Sequence, residues 1–184
     1  MQGYLPGIIK QFQYYKNLAD KAMAQVADEQ FHWQPDEASN SIATIVKHMA
    51  GNMRSRWTDF LRTDGEKPWR NREAEFTAEP TTDRAAILQD WEQGWECLFD
   101  ALSPLTDTDL KRIIYIRNEG HTVLEAIHRQ LAHYPYHVGQ IVYLARMLAQ
   151  DRWQSLSIPR GGSEAFNAER FGKDKERRHF TDSL

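Results

Sequence analysis

Four segments of the chain repeat apolar residues every three or four positions, as amphipathic helices do. These segments cover roughly residues 4–28, 41–62, 83–102 and 123–149. Each one places its apolar residues on one face, and the last carries a nearly continuous apolar stripe along its whole length. Almost no stretch alternates with a period of two, so strands are not expected to dominate. The pattern therefore predicts an all-α fold, a four-helix bundle.

Polar residues mark where two of these helices begin. Asn40 or Ser41 is suited to cap the second helix. Thr122, followed three positions later by Glu125, has the spacing of a capping box and predicts the start of the fourth helix. Just before it, residues 110–122 are typical of a short extended piece with a turn at residues 118–120.

The longest connection, about residues 63–82, contains two prolines and a glycine and has no helical period. Connections of this length are uncommon in a compact bundle. We expect it to cross the end or the side of the bundle and to pack down through Trp69 and Phe76. We divide the chain into a bundle domain, residues 1–150, and a C-terminal extension, residues 151–184, that packs on the bundle and ends in a mixed-charge tail.

Composition and charge exclude several classes of protein. A chain of 184 residues is long enough for one well-buried domain. Its formal net charge of -3 gives no attraction to nucleic acid or to an anionic membrane. No apolar run reaches the roughly 18 residues that a membrane span needs, and the N-terminus lacks the pattern of a signal peptide. With Cys97 as the single cysteine, we expect a cytoplasmic protein without an intrachain disulfide.

Two histidines in the fourth helix, His133 and His137, are candidates for a metal site. Their i, i+4 spacing places both rings on one helix face, about 6 Å apart, beside the apolar stripe. This arrangement lets two ring nitrogens bind one metal ion. Pro135 lies between them and predicts a bend. The alternative is a pair of core histidines that only form hydrogen bonds across the bundle.

A third histidine, His48, borders the apolar face of the second helix near Ile45 and Met49. A lone inward histidine is more often a core residue than a ligand. Three inward imidazoles without a shared partner would be costly to bury, however, and this favours a common metal ion. The other histidines lie on another helix face, in turns or in the tail, and we interpret them as structural or exposed: His32, His121, His128 and His179.

The stretches "SIATIVKHMAGN" and "HYPYHVGQIVYLAR" resemble the motifs of the DinB/YfiT-like family of small metalloproteins. The family has an inward histidine in its second helix and H-x-x-x-H-x-G-Q in its fourth. Here these motifs are His48, His133, His137, Gly139 and Gln140. The resemblance covers the bundle domain. It implies an up-down-down-up bundle with a long crossover between helices 2 and 3, and a metal ion held by the three histidines.

One departure from the family is visible at Val138, where many relatives carry a basic residue. This difference alters the charge near the site and leaves the three ligands in place. Three neutral imidazoles leave a coordination position open, which is typical of a catalytic metal site. We expect one divalent transition metal ion, Zn or Ni first, with Fe or Mn as further candidates.

Several other residues are candidates for the surroundings of the metal. Asn52 and Gln140 are placed to orient the histidine rings, although Gln140 is equally suited to a hydrogen bond between helices. Trp91 and Trp95 are candidates for the wall of a substrate pocket, with plain core packing as the alternative. If the C-terminal extension covers the pocket, Arg160 is placed to bind an anionic substrate.

Characterised members of the resembling family include thiol-dependent transferases and isomerases. The resemblance therefore implies a metal-dependent S-transferase that joins a low-molecular-weight thiol to small electrophiles. The alternatives are a metal-dependent hydrolase and a non-catalytic stress protein that binds a metal or a ligand. Cys97 lies away from the histidines and is not expected to be the nucleophile. A homodimer is expected, because relatives often form dimers.

Overall fold

The computed structural model describes residues 3–77 and 83–183. The described part of the chain is mostly helical, with one small antiparallel sheet. In chain order its elements are α1 (Tyr4–Met23), α2 (Asp28–Phe31), α3 (Ile42–Trp57), α4 (Arg72–Glu75), α5 (Arg84–Leu102), β1 (Ile113–Ile116), β2 (Glu119–Thr122), α6 (Val123–Ala149) and α7 (Ser163–Phe171). The predicted all-α class is confirmed, with the two short strands as an addition.

The four long helices pack side by side and share one core. α3 lies against α5 and α6, and α1 lies against the same two helices. The side chains between them are almost completely inaccessible to solvent, and they include Phe12, Met49, Met53, Leu98, Ile127 and Ile141. The up-down-down-up order of the helices stays a prediction. No helix among the described residues is long and apolar enough to cross a membrane.

Local capping fixes the starts of α3 and α6 where the sequence predicted them. The hydroxyl oxygen of Ser41 accepts a hydrogen bond from the Thr44 N–H at 3.1 Å. At α6 the hydroxyl of Thr122 accepts from the Glu125 N–H at 3.1 Å. The Glu125 carboxylate accepts in return from the Thr122 N–H at 2.7 Å, so the predicted capping box is present. α6 then runs over the full predicted span.

α1 ends earlier than the apolar pattern predicts, at Met23 instead of near residue 28. The reason is a long-range hydrogen-bond partner on α5. The Arg84 guanidinium donates to the Met23 carbonyl at 2.7 Å and to the Val26 carbonyl at 2.8 Å. These carbonyls at the helix end are therefore satisfied by a side chain, and the chain turns away into α2.

β1 and β2 form a hairpin just before α6, with Ile113 opposite Thr122 and Ile116 opposite Glu119. Arg117 and Asn118 make its two-residue turn at φ 56° and 61°, the left-handed values that a type I′ turn needs. The turn is therefore one residue earlier than predicted. Asn is well suited to this conformation because its short polar side chain tolerates positive φ.

The connection after α3 packs differently from the prediction. Trp69 is 54% exposed and lies under the Arg54 guanidinium, 5.9 Å from the ring centroid, so the expectation that Trp69 anchors the segment is wrong. Phe76 does pack inward, with its ring centroid 4.9 Å from that of His48. α4 forms between these two aromatic residues. Residues 78–82 of the predicted crossover lie outside the described part of the chain.

The C-terminal extension contacts α1 and the turn that follows it. Gln25 exchanges hydrogen bonds with the backbone of Gln154, and Lys10 forms an ion pair with Asp182 at 2.6 Å. The exposed helix α7 lies between these two contacts along the chain. The division of the chain at residue 150 stays a prediction.

Candidate metal centre

Three histidine rings meet between α3 and α6. His48 comes from α3, and His133 and His137 come from successive turns of α6. One ring nitrogen of each histidine lies within 4.8 Å of those of the other two. The closest pair is Nε2 of His133 and Nε2 of His137, at 3.1 Å. His48 is buried and the other two are half-buried, so the structure brings together the three residues that the sequence singled out.

Each of the three rings has an oxygen beside its Nδ1 atom. The contacts are His48 with Glu75 at 2.9 Å, His133 with Gln130 at 3.2 Å and His137 with Gln140 at 2.8 Å. An oxygen that only accepts hydrogen bonds assigns the ring proton to Nδ1. Nε2 is then the nitrogen with a free lone pair on each ring, which is the form in which a histidine binds a metal ion.

Burial keeps the rings of His133 and His137 neutral. Desolvation, with a smaller effect from the charge that His137 and His48 carry when protonated, lowers the pKa of His133 to about 3. Desolvation also lowers the pKa of His137, against the opposing hydrogen bond to Gln140. If the neutral rings of His133 and His137 each carry their proton on Nδ1, the lone pairs of their two Nε2 atoms lie 3.1 Å apart. A cation between them removes this repulsion, so the donor set fits a divalent transition metal ion.

Glu75 is the unexpected member of the site. Its carboxylate is held by the Arg70 guanidinium, with Nε to Oε1 at 2.7 Å and a terminal nitrogen to Oε2 at 2.9 Å. Burial alone would raise the pKa of Glu75, but hydrogen bonds from His48 and Arg70 hold it below its usual value. Glu75 therefore presents a charged carboxylate to His48. Nothing in the sequence indicated this role, because Glu75 lies in a segment without a helical period.

Comparison with known proteins places the chain in a family. A family profile described as "Protein of unknown function (DUF1572)" matches residues 1–162. The chain belongs to this DUF1572 family. No curated protein matches it. The matched span includes the three histidines and Glu75, so the whole candidate site of this DUF1572 protein lies inside the family region.

Asn52 does not orient His48, as the sequence had suggested, because Glu75 fills that position. The Asn52 side-chain oxygen instead accepts a hydrogen bond from the Tyr134 hydroxyl at 3.2 Å. The Tyr134 oxygen in turn accepts from the Trp57 indole N–H at 3.2 Å. This buried chain belongs to the core next to the site. Gln140, the other predicted partner, does contact His137.

Trp91 and Trp95 are core residues and do not line a pocket at the histidines. Both side chains are fully buried. The Trp91 indole N–H donates to Asp20 at 2.8 Å, and Trp95 packs edge-on against Tyr134, with ring centroids 5.9 Å apart. Tyr134 in turn packs against His133, so one layer of aromatic core separates Trp95 from the site.

Arg160 is exposed, next to a turn in which Gly161 adopts a φ of 83°. Among the described residues, no contact places it near the three histidines. The segment that covers the site is the connection before α5, through Arg70, Glu75 and Phe76. The hypothesis of an Arg160 substrate contact under a C-terminal cover therefore has no support in the described structure.

Cys97 is not placed or activated for catalysis. Burial raises the pKa of its thiol, against a weak hydrogen bond to the Thr58 hydroxyl at 3.5 Å. A raised pKa keeps the sulfur protonated near neutral pH, which makes it a poor nucleophile. His128, on the same helix as the site, is exposed and contacts Tyr4 instead.

Proposed function

We propose that this protein is a metal-dependent enzyme that transfers a low-molecular-weight thiol to small electrophiles. The observation that carries the proposal is the convergence of three imidazoles, each with its Nδ1 beside an oxygen atom. Three protein ligands leave a coordination position open to a small molecule, which is the arrangement of catalytic sites. The resemblance to the DinB/YfiT-like family, with its up-down-down-up bundle and its thiol-dependent members, supports the same activity.

The charges around the histidines favour an anionic fourth ligand. Arg56 contacts Glu66 at 3.2 Å, and Arg70 contacts Glu75 at 2.7 Å. Arg117 also contacts Glu66, at 3.2 Å, so the carboxylates of this region do not outnumber its guanidinium groups. A bound divalent ion would leave the region with at least two uncompensated positive charges. A thiolate or a hydroxide would reduce that charge, so both are suitable ligands for the open position.

Zn and Ni are the metals that we propose first, with Fe and Mn as further candidates, since imidazole nitrogen suits several of these ions. When bound, such an ion lowers the pKa of a coordinated thiol or water and so supplies the nucleophile. The protein's own residues hold the ring protons at Nδ1 through Glu75, Gln130 and Gln140. Phe76 packs on the His48 ring, with the ring centroids 4.9 Å apart.

Cobalt substitution tests thiol binding directly. The protein is loaded with Co²⁺ and titrated with 2-mercaptoethanol, and ethylene glycol serves as the matched compound without sulfur. We expect a sulfur-to-cobalt charge-transfer band with the thiol only, and no band in His133→Ala. If the spectrum of the Co²⁺-loaded protein does not change when the thiol is added, this result would contradict the S-transferase function. The metal-bound water of a hydrolase would then be tested with activated esters.

A further inference from the structure

We propose that Glu75 is a positioning residue for the metal centre: it holds His48 in the ligand orientation and makes metal binding depend on docking of residues 70–76. The inference rests on the proposed metal function. Glu75 touches His48 and no other of the three histidines in the described contacts, so it acts through that ring. The segment from Arg70 to Phe76 thus becomes part of the site without supplying a metal ligand.

The carboxylate of Glu75 is fully engaged. Oε2 lies 2.9 Å from His48 Nδ1, and both oxygens receive hydrogen bonds from Arg70. The Arg70 side chain is only 2% exposed, and that of Glu75 is 10% exposed. A carboxylate on Nδ1 fixes the orientation of an imidazole and makes its Nε2 a stronger ligand. Arg70 prevents the carboxylate from turning away, so the His48 ring is held before any metal arrives.

Gly51 gives Glu75 the space that this contact needs. A Cβ atom at position 51 would lie 2.2 Å from Glu75 Oε1 and 2.9 Å from its carboxyl carbon. Glycine is disfavoured inside a helix relative to alanine, and Gly51 lies well inside α3. The close approach of Glu75 explains its presence. Gly7 of α1 provides a contrast, because a Cβ there would meet only the His179 ring, at an ordinary contact distance of 3.8 Å.

The segment that carries Glu75 is fixed at both ends. Asn71 caps the short helix α4, its side-chain oxygen accepting from the Ala74 N–H at 3.2 Å. Phe76 packs on the His48 ring directly after the helix. The same ring of His48 is therefore held by a charged contact and by an aromatic contact. Both contacts come from the single segment 70–76, so the loss of its docking would release the ring.

Two pairs of variants test this role. Glu75→Gln removes the charge from the contact, and Glu73→Gln changes a neighbouring carboxylate of α4 whose side chain is 85% exposed. Gly51→Ala pushes the Glu75 carboxylate away while keeping its charge, and Gly7→Ala is the matched change in a helix outside the site. Zn²⁺ affinity is measured by competition with a chromophoric chelator, and the Co²⁺-loaded proteins are compared by their d–d spectra.

We expect Glu75→Gln and Gly51→Ala to weaken Zn²⁺ binding by about 10- to 100-fold and to shift the cobalt bands. Glu73→Gln and Gly7→Ala should match the parent protein. If Glu75→Gln does not fold, Gly51→Ala serves as the test. The added methyl group displaces only the end of the flexible Glu75 side chain, which can move without disturbing α3. Parent-like affinity and spectrum in a folded Glu75→Gln or Gly51→Ala protein would overturn the inference while leaving the metal site intact. A parent protein that binds neither ion would overturn the proposed function itself, and the inference with it.

Discussion

Tyr134 is fully buried between the helices, and its hydroxyl joins Asn52 to Trp57. Tyr134→Phe removes the hydroxyl and leaves a buried indole N–H and a buried amide oxygen without this partner. We expect the free energy of unfolding to fall by about 1–3 kcal/mol, the usual cost of an unsatisfied buried polar group. Urea unfolding measures this. Tyr143→Phe is the control, because Tyr143 is 70% exposed. Equal stability of the two variants would contradict this account of the core.

Single residues also show which parts of the candidate site could be predicted from the sequence. The spacing of His133 and His137, with an inward His48, was sufficient to predict that these three rings lie together once the family resemblance was added. Gln140 was predictable in the same way, because it lies one turn from His137 on the same helix. Glu75 was not, since it is 27 positions from His48 and belongs to a segment whose position depends on tertiary contacts. Asn52 has the right spacing to contact the His48 ring, but it is Glu75 that contacts Nδ1 of that ring.

Among the elements, the hairpin before α6 depends on Asp64. The Asp64 carboxylate accepts hydrogen bonds from the backbone N–H groups of Glu66, Arg117 and Asn118. Burial works to raise the pKa of Asp64, but these donors lower it below its usual value. A carboxyl with a lowered folded-state pKa stabilises the protein above its unfolded pKa, about 3.9. That contribution is lost as the pH falls through the lower folded-state pKa.

We therefore expect Asp64→Asn to lower the free energy of unfolding by about 1–2 kcal/mol at pH 7, as hydrogen bonds to a partly exposed charged group allow. The difference from the parent protein should shrink below about pH 4, as the parent carboxyl becomes protonated. Denaturant unfolding at a series of pH values measures both. Asp174→Asn, in the exposed tail, is the control. A difference that stays constant down to pH 2 would show that the charge of Asp64 is not responsible.

The elements also explain why some boundaries were predictable and others were not. α6 begins at a capping box, whose residues are three positions apart, so its start could be read from local sequence. The end of α1 is set by Arg84, which is 61 positions from Met23, and no local pattern reveals such a partner. The hairpin turn lies one residue earlier than predicted, because both Arg117 and Asn118 adopt positive φ. Arginine is uncommon in this conformation, so its presence did not indicate a turn position.

For the molecule as a whole, metal binding should raise stability, because an ion that binds only the folded state shifts the unfolding equilibrium. At 100 times its dissociation constant a ligand adds about 2.7 kcal/mol. For a chain of this size we expect an increase in Tm of about 5–11 °C. Thermal unfolding with and without Zn²⁺ measures the shift. His133→Ala should show little of it, and an equal shift in that variant would assign the effect to another site.

Properties of the whole molecule were the hardest to predict from the sequence. The all-α class followed from periodicity alone, whereas the position of the C-terminal extension on α1 depends on scattered contacts such as Lys10 with Asp182. The sequence instead suggested a cover over the site that includes Arg160. The expected homodimer stays a prediction.

The most direct test of the three-histidine centre is the metal content of the purified protein. The parent, His137→Ala and His128→Ala proteins are purified without chelator, incubated with Zn²⁺ or Ni²⁺, freed of unbound ions and analysed for metal. His128 is the matched control because it lies on the same helix, exposed and outside the cluster. We predict about one transition metal ion per chain in the parent and in His128→Ala, and little in His137→Ala. Equal metal content in all three, or none in the parent, would contradict a metal centre formed by His48, His133 and His137.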